Sequence, residues 1–101
     1  MAMKGELEEL RGAYVLSHPA RSRIVRLLKK EGKAYPAKIA EALQLSERLV
    51  SFHLSMLSTA GFVKSEYGLS NPVERPPRMV RYYELTPKVD KTLEKFMAAF
   101  K

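Results

Sequence analysis

Apolar residues recur along the first sixty positions with the period of a helix. In residues 4–16 (KGELEELRGAYVL), Leu7, Leu10 and Tyr14 stand at i, i+3 and i+7, one stripe on a helical surface. SHPARSRIVRLLKKEG follows. Pro19 suits a first helical turn with Ser17 or His18 as its cap, Ile24, Leu27 and Leu28 form the buried stripe, and Gly32 is placed to end the helix. A third helix is expected from Pro36 to about Leu43, burying Ile39, Ala40 and Leu43. QLS then turns the chain, and Ser46 caps a fourth helix that continues to about Ala60 and stops at Gly61.

Past Gly61 the period changes. FVKSEY and MVRYYEL are short and rich in β-branched and aromatic residues, so both read as strands. GLSNPVERPPR between them carries the Gly, Asn and Pro of a long hairpin loop, stiffened by Pro76–Pro77. From Pro87 a last helix carries Val89, Leu93, Phe96, Met97 and Phe100 on one stripe. The predicted class is mainly α with a small β-hairpin, in the order α-α-α-α-β-β-α. Two helices joined by a short turn and followed by a basic hairpin make a winged helix-turn-helix.

The fourth helix, within LSERLVSFHLSMLSTAGF, has a polar face short of charge: only Glu47 and Arg48 are ionised. Val50, Leu54 and Leu57 face the core, which leaves Arg48, Leu49, Ser51, Phe52 and Ser55 opposite and His53 nearer the flank. Small hydroxyls, a few donors and apolar groups suit the major groove, where thymine methyls are met and excess acid is repelled by phosphate.

Length and charge narrow the field. At 101 residues the chain is one domain, 1–101, and buries only about 60–70% of its surface alone, so association would help it. Lys and Arg number 18 against 11 Asp and Glu, and the resulting +7 points to a polyanion, with nucleic acid first; a plain solubility charge is the other account. The absence of cysteine removes disulfides, thiolate metal sites and cysteine nucleophiles. No apolar run approaches the ~18–20 residues of a membrane span, and MAMKGELEEL lacks the order of a signal peptide. A cytoplasmic protein is expected.

The pattern LSHPARSRIVRLL … YPAKIAEALQLSERLVSFHLSMLSTAGFVKSEY … RYYELTP resembles the ArsR-type winged-helix transcription regulators. His18, Pro19 and Arg21 match the family's His-or-Asp-Pro-x-Arg start. Ser46, Val50, Ser51, His53, Leu54, Leu57, Ala60, Gly61 and Val63 match its recognition-helix block. The resemblance covers roughly residues 14–88. It implies a homodimer that binds double-stranded DNA sequence-specifically and regulates transcription, by repression in the usual family manner. Many members sense metals through a cysteine-bearing motif in the helix before the turn; KAYPAKIAEAL has no Cys, and PKVDKTLEKF offers Asp90 and Glu94 but no His. No metal or cofactor is therefore expected.

The candidate DNA contacts on the recognition helix, 46–60, are Ser46, Arg48, Leu49, Ser51, Phe52, His53 and Ser55. Arg48 suits bidentate recognition of guanine, or is a solvated arginine paired to phosphate or to Glu47. Phe52 is either a contact on a thymine methyl or sugar, or a satellite of the core. His53 is a phosphate or base donor, or a structural ring bonded to a nearby carbonyl. His18 reads as a cap rather than a ligand. The wing, 67–81, carries Arg75, Arg78 and Arg81, with Lys64 on the partner strand; it would lie on the backbone or dip into the minor groove, where arginine is favoured. Arg21 and Arg23 reach the phosphate flank or are ordinary surface residues. Leu7, Leu10 and Tyr14, together with Leu93, Phe96, Met97 and Phe100, exceed what a three-helix core covers and are expected to form a two-fold interface.

Catalysis has no support: there is no phosphate loop, no carboxylate pair in a Gly-rich setting, and Ser51 and His53 point to different helix faces. A non-specific architectural DNA binder and a winged-helix protein-interaction module remain the alternatives to a sequence-specific regulator.

Overall fold

The computed structural model describes residues 4–70 and 76–98. The elements are α1 (Lys4–Ser17), α2 (Pro19–Glu31), β1 (Lys33–Ala34), α3 (Pro36–Leu43), α4 (Glu47–Thr59), β2 (Val63–Leu69), β3 (Met79–Leu85) and α5 (Lys88–Ala98). The sheet is antiparallel in the order β1-β3-β2. This is the expected winged helix-turn-helix with one correction: a two-residue strand stands between α2 and α3. Lys33 and Ala34 pair with Glu84 and Tyr83. Two residues are too few to show an alternating pattern, and their partner lies fifty positions away, so nothing local announces β1.

Local chemistry sets the helix ends. The His18 ring, not Ser17, caps α2, its Nδ1 accepting from the Ala20 N–H at 3.1 Å, with Pro19 in the first turn. Gly32, at φ 87°, ends the helix in a backbone region that side chains rarely adopt, its N–H donating to the Leu28 carbonyl. α3 closes on Gln44 in the left-handed conformation, φ 58°. Ser46 then caps α4, its hydroxyl accepting from the Leu49 N–H at 3.1 Å.

The core collects one face from each helix: Val15 and Leu16, Ile24, Val25 and Leu28, Ile39 and Ala40, Val50, Leu54 and Leu57, closed by Phe62, Val63 and Val89. On α1 the core side is therefore Gly12, Val15 and Leu16, whereas the more obvious Leu7–Leu10–Tyr14 stripe faces out. β2 runs two residues further than expected, through Gly68 and Leu69, and the hairpin is tied where the strands meet: the Ser70 N–H donates to the Arg78 carbonyl at 2.7 Å and the Arg78 N–H to the Ser70 hydroxyl at 3.0 Å.

Leu54 has no exposed surface. Leu54→Ala is expected to lower stability by about 2–5 kcal/mol, the range for a leucine cavity that cannot collapse, read as a fall in the urea midpoint at unchanged slope.

Candidate nucleic-acid interface

The helix-turn-helix is α3 and α4, and α2 braces the turn between them: Arg23 donates from Nη2 to the Leu43 carbonyl at 2.8 Å, satisfying a group at the α3 C-terminus. Arg23 thus helps to hold the turn while its side chain stays exposed.

α4 is seated by a stripe at i, i+3, i+4 and i+7: Val50, His53, Leu54 and Leu57 are all buried. Arg48, Leu49, Ser51, Phe52 and Ser55 are exposed along the opposite side. Phe52 is 55% exposed, so it is a surface group rather than a satellite of the core. Arg48 makes no ion pair with a described residue. Ser46 lies at the helix start with its hydroxyl spent on the cap.

Two of the candidate contacts are buried, which favours the structural alternative for His53. His53 is 5% exposed and Arg21 4% exposed, so neither offers an open surface to DNA. Arg21 begins the stripe of α2, with Ile24, Val25 and Leu28, at the same spacing with which His53 enters the stripe of α4. That spacing was the available signal; polarity masked it. The His18 and His53 rings meet with centroids 4.6 Å apart, and the edge of the adjacent Phe52 ring lies near His53. Burial, then His18, then Arg21, hold the His53 pKa below the ordinary histidine value.

The wing has two unlike faces. Val63, Ser65, Tyr67 and Leu69 alternate onto one, and the register sets Leu85, Tyr83, Arg81 and Met79 opposite them. Arg81 donates from Nε to the Ser65 hydroxyl at 2.8 Å, with its guanidinium near the Tyr67 and Tyr83 rings. Tyr67, Leu69 and Met79 stand exposed beside it, a surface that attention to arginine alone missed. The other face is closed on itself. Lys64 pairs with Glu84 at 3.2 Å, Tyr82 lies over Gly68 and donates from its hydroxyl to the Leu69 carbonyl, and the Lys33 ammonium sits above the Tyr82 ring. Lys64 therefore already has a carboxylate partner. Arg78 is exposed where the hairpin is tied, and Arg75 lies outside the described residues.

α1 and α5 pack together, close enough that a Cβ on Gly12 would meet Thr92 at 3.3 Å. Leu7, Leu10, Tyr14, Leu93, Phe96 and Met97 remain exposed on the two helices; Phe100 lies outside the described residues. Among the described residues no cluster of three His, Cys, Asp or Glu side chains could hold a metal ion, and no helix is long and apolar enough to cross a membrane.

Residues 18–65 match the family model described as bacterial regulatory protein, arsR family. Over these residues the helix-turn-helix is similar to that of the ArsR family. The ArsR match begins at His18 and ends in β2, so it takes in the α2 cap, the turn and the whole of α4. Similar solved structures extend the likeness over most of the chain. The crystal structure of a "possible transcriptional regulator for arsenical resistance" shares 27% identity, with 88% of this chain and 82% of that one covered, at a TM-score of 0.69. A transcriptional regulator homologue from Pyrococcus horikoshii shares 23% identity over 95% and 94% of the two chains, at 0.65. A protein with a GntR superfamily winged-helix-turn-helix domain from Halomicrobium mukohataei reaches 0.75 at 18% identity, covering 96% of this chain and 69% of that one. No curated protein matches the chain.

His53 is neutral more readily in the folded domain than in the unfolded chain. The unfolded chain therefore binds the proton first: stability is full above about pH 6.5 and declines as pH falls below it. Thermal melts at about pH 7.5 and about pH 5.5 should show a lower midpoint in acid, and His53→Gln should narrow the difference.

Proposed function

We propose that this protein is a sequence-specific double-stranded DNA-binding regulator of transcription that acts as a homodimer and represses by occupying a promoter. The observation that carries the reading is the outer face of α4: Arg48, Leu49, Ser51, Phe52 and Ser55 exposed together on a helix seated by a buried stripe, within the segment that matches the ArsR family. In this reading α4 enters the major groove and the wing lies on the backbone or at the minor groove, led by Arg78 and Arg81. The protein's +7 charge supplies the sequence-independent attraction to phosphate.

The dimer reading rests on the exposed apolar side chains of α1 and α5. Tyr14 at 70%, Leu10 at 67% and Met97 at 64% exposure leave more apolar surface in water than scattered single residues would. Closing a two-fold on that surface would set two α4 helices about 34 Å apart, one turn of B-DNA, on a pseudo-palindromic site.

Titration into a labelled fragment of the chain's own upstream region, against scrambled DNA at several salt concentrations, tests the function. The expected result is a preference of about 10³ or more for one site, saturating at one dimer. Equal and strongly salt-dependent binding to both would replace the regulator with an architectural protein; no binding at low salt would leave an interaction module. Arg48→Ala should cost about 1–3 kcal/mol and relax discrimination at one base position. Leu10→Glu should yield a monomer in sedimentation while the far-ultraviolet circular dichroism stays unchanged.

A further inference from the structure

Two side-chain atoms are buried without a hydrogen-bond partner among the described residues: Arg21 Nε and His53 Nδ1. Both belong to one cluster. His18 caps α2 and lays its ring against that of His53 on α4, and Arg21 follows in the first turn of α2. This turn carries no acidic residue, and the helix N-terminus adds positive potential of its own. The cap also settles the neutral His18 tautomer: Nδ1 accepts from Ala20, so the proton sits on Nε2.

Among the described residues no neighbouring element supplies a counter-charge. The charged groups that act on His53 are His18 from the α1–α2 junction and Arg21 from α2. α3 turns Lys38 and Glu41 toward the groove lined by Tyr35 and Tyr82, β2 turns Lys64 to Glu84, and the titratable side chains described in α1, Arg11 and Tyr14, are exposed. A buried charge without a partner is expensive. The cluster already holds one permanent charge on Arg21, and it stays closed only while the buried His53 imidazole is neutral.

We propose that His18, Arg21 and His53 form a proton-sensitive brace that positions the recognition helix against α2. With His53 neutral, the first turns of α4 are seated and Arg48, Leu49 and Phe52 are presented in a fixed array. With His53 protonated, a second cation is buried within electrostatic reach of Arg21, the ring is driven out from against His18, and that array shifts. His53 is a positioning residue here, since it acts through its exposed neighbours on the same helix. The brace rests on the DNA-binding reading above and adds a sign to it: affinity weakens in acid, opposite to the strengthening that surface histidines give when they gain charge near phosphate.

The test is the affinity for the labelled upstream duplex at constant ionic strength, at about pH 7.5 and about pH 5.5, with the fold followed by circular dichroism. For the wild-type chain Kd should rise by about tenfold, the order expected for one coupled proton across a pH unit. His53→Gln should bind with little dependence on pH. His18→Asn, which keeps a good cap and removes one imidazole, should retain a smaller response. A wild-type Kd that is unchanged or falls in acid overturns the brace, as does a full pH response in His53→Gln. Hydrogen exchange on the free wild-type protein provides the second reading, independent of any variant and of DNA. Loss of protection in the first turns of α4 at low pH, with α3 still protected, supports the brace; equal protection at both pH values overturns it. If the duplex is not bound at either pH, the DNA-binding reading fails, and the exchange data still decide the brace.

Discussion

The ring of Phe62 has no exposed surface, and the parts of the molecule that must keep a fixed relation to one another converge on it. Its backbone N–H donates to the Leu57 carbonyl at the end of α4, and its carbonyl accepts from Thr86 at the end of β3, both at 2.9 Å. A Cβ on Gly12 of α1 would lie 3.3 Å from its Cζ, and the Lys88 ammonium of α5 stands over its face. Lys88 and Thr86 also reach back to the carbonyls of Ala60 and Gly61, at 2.6 Å each. The recognition helix, the wing and the terminal helices are thus fastened around one residue. Their mutual orientation is a packing property, and close-packed interiors transmit displacement rather than absorb it.

Within that frame the surface divides its tasks. α4 spends one stripe on the core and leaves the other exposed, while Arg23 of α2 ties down the turn before it. The wing does the same with its two faces: one is saturated by Lys64–Glu84 and by Tyr82 against Gly68, and the other holds Arg81 among tyrosines with apolar neighbours exposed. Residue type alone does not distinguish a contact residue from a structural one in this protein; partners do.

That is also the line between what was legible in the sequence and what was not. The helix faces were legible because a period of 3.6 forces one side inward, and Ile24, Leu28, Ile39, Val50, Leu54 and Leu57 are all buried or nearly so. The caps at His18, Gly32 and Ser46 were legible because each satisfies a backbone need with a known side chain. β1 was not, since its cause is a partner strand far along the chain. The burial of Arg21 and His53 was less legible, because polar residues in an apolar stripe are assigned outward by type, whereas the stripe itself decides. On α1 two sides compete, and hydrophobicity favours Leu7, Leu10 and Tyr14 over Gly12, Val15 and Leu16; only the close approach of Phe62 and Thr92 to Gly12 selects the second as the core side.

The outward set on α1 and α5 has one further consequence. Leu10, Tyr14 and Met97 lie outside the monomer's core, so exchanging them for other side chains leaves Phe62, Leu54 and their neighbours untouched and costs the domain little of its folding free energy. These exposed positions can therefore drift on their own schedule. After a gene duplication, the outer faces of α1 and α5 in two copies could diverge while the exposed face of α4 stayed the same, because neither set of side chains belongs to the core that holds the fold.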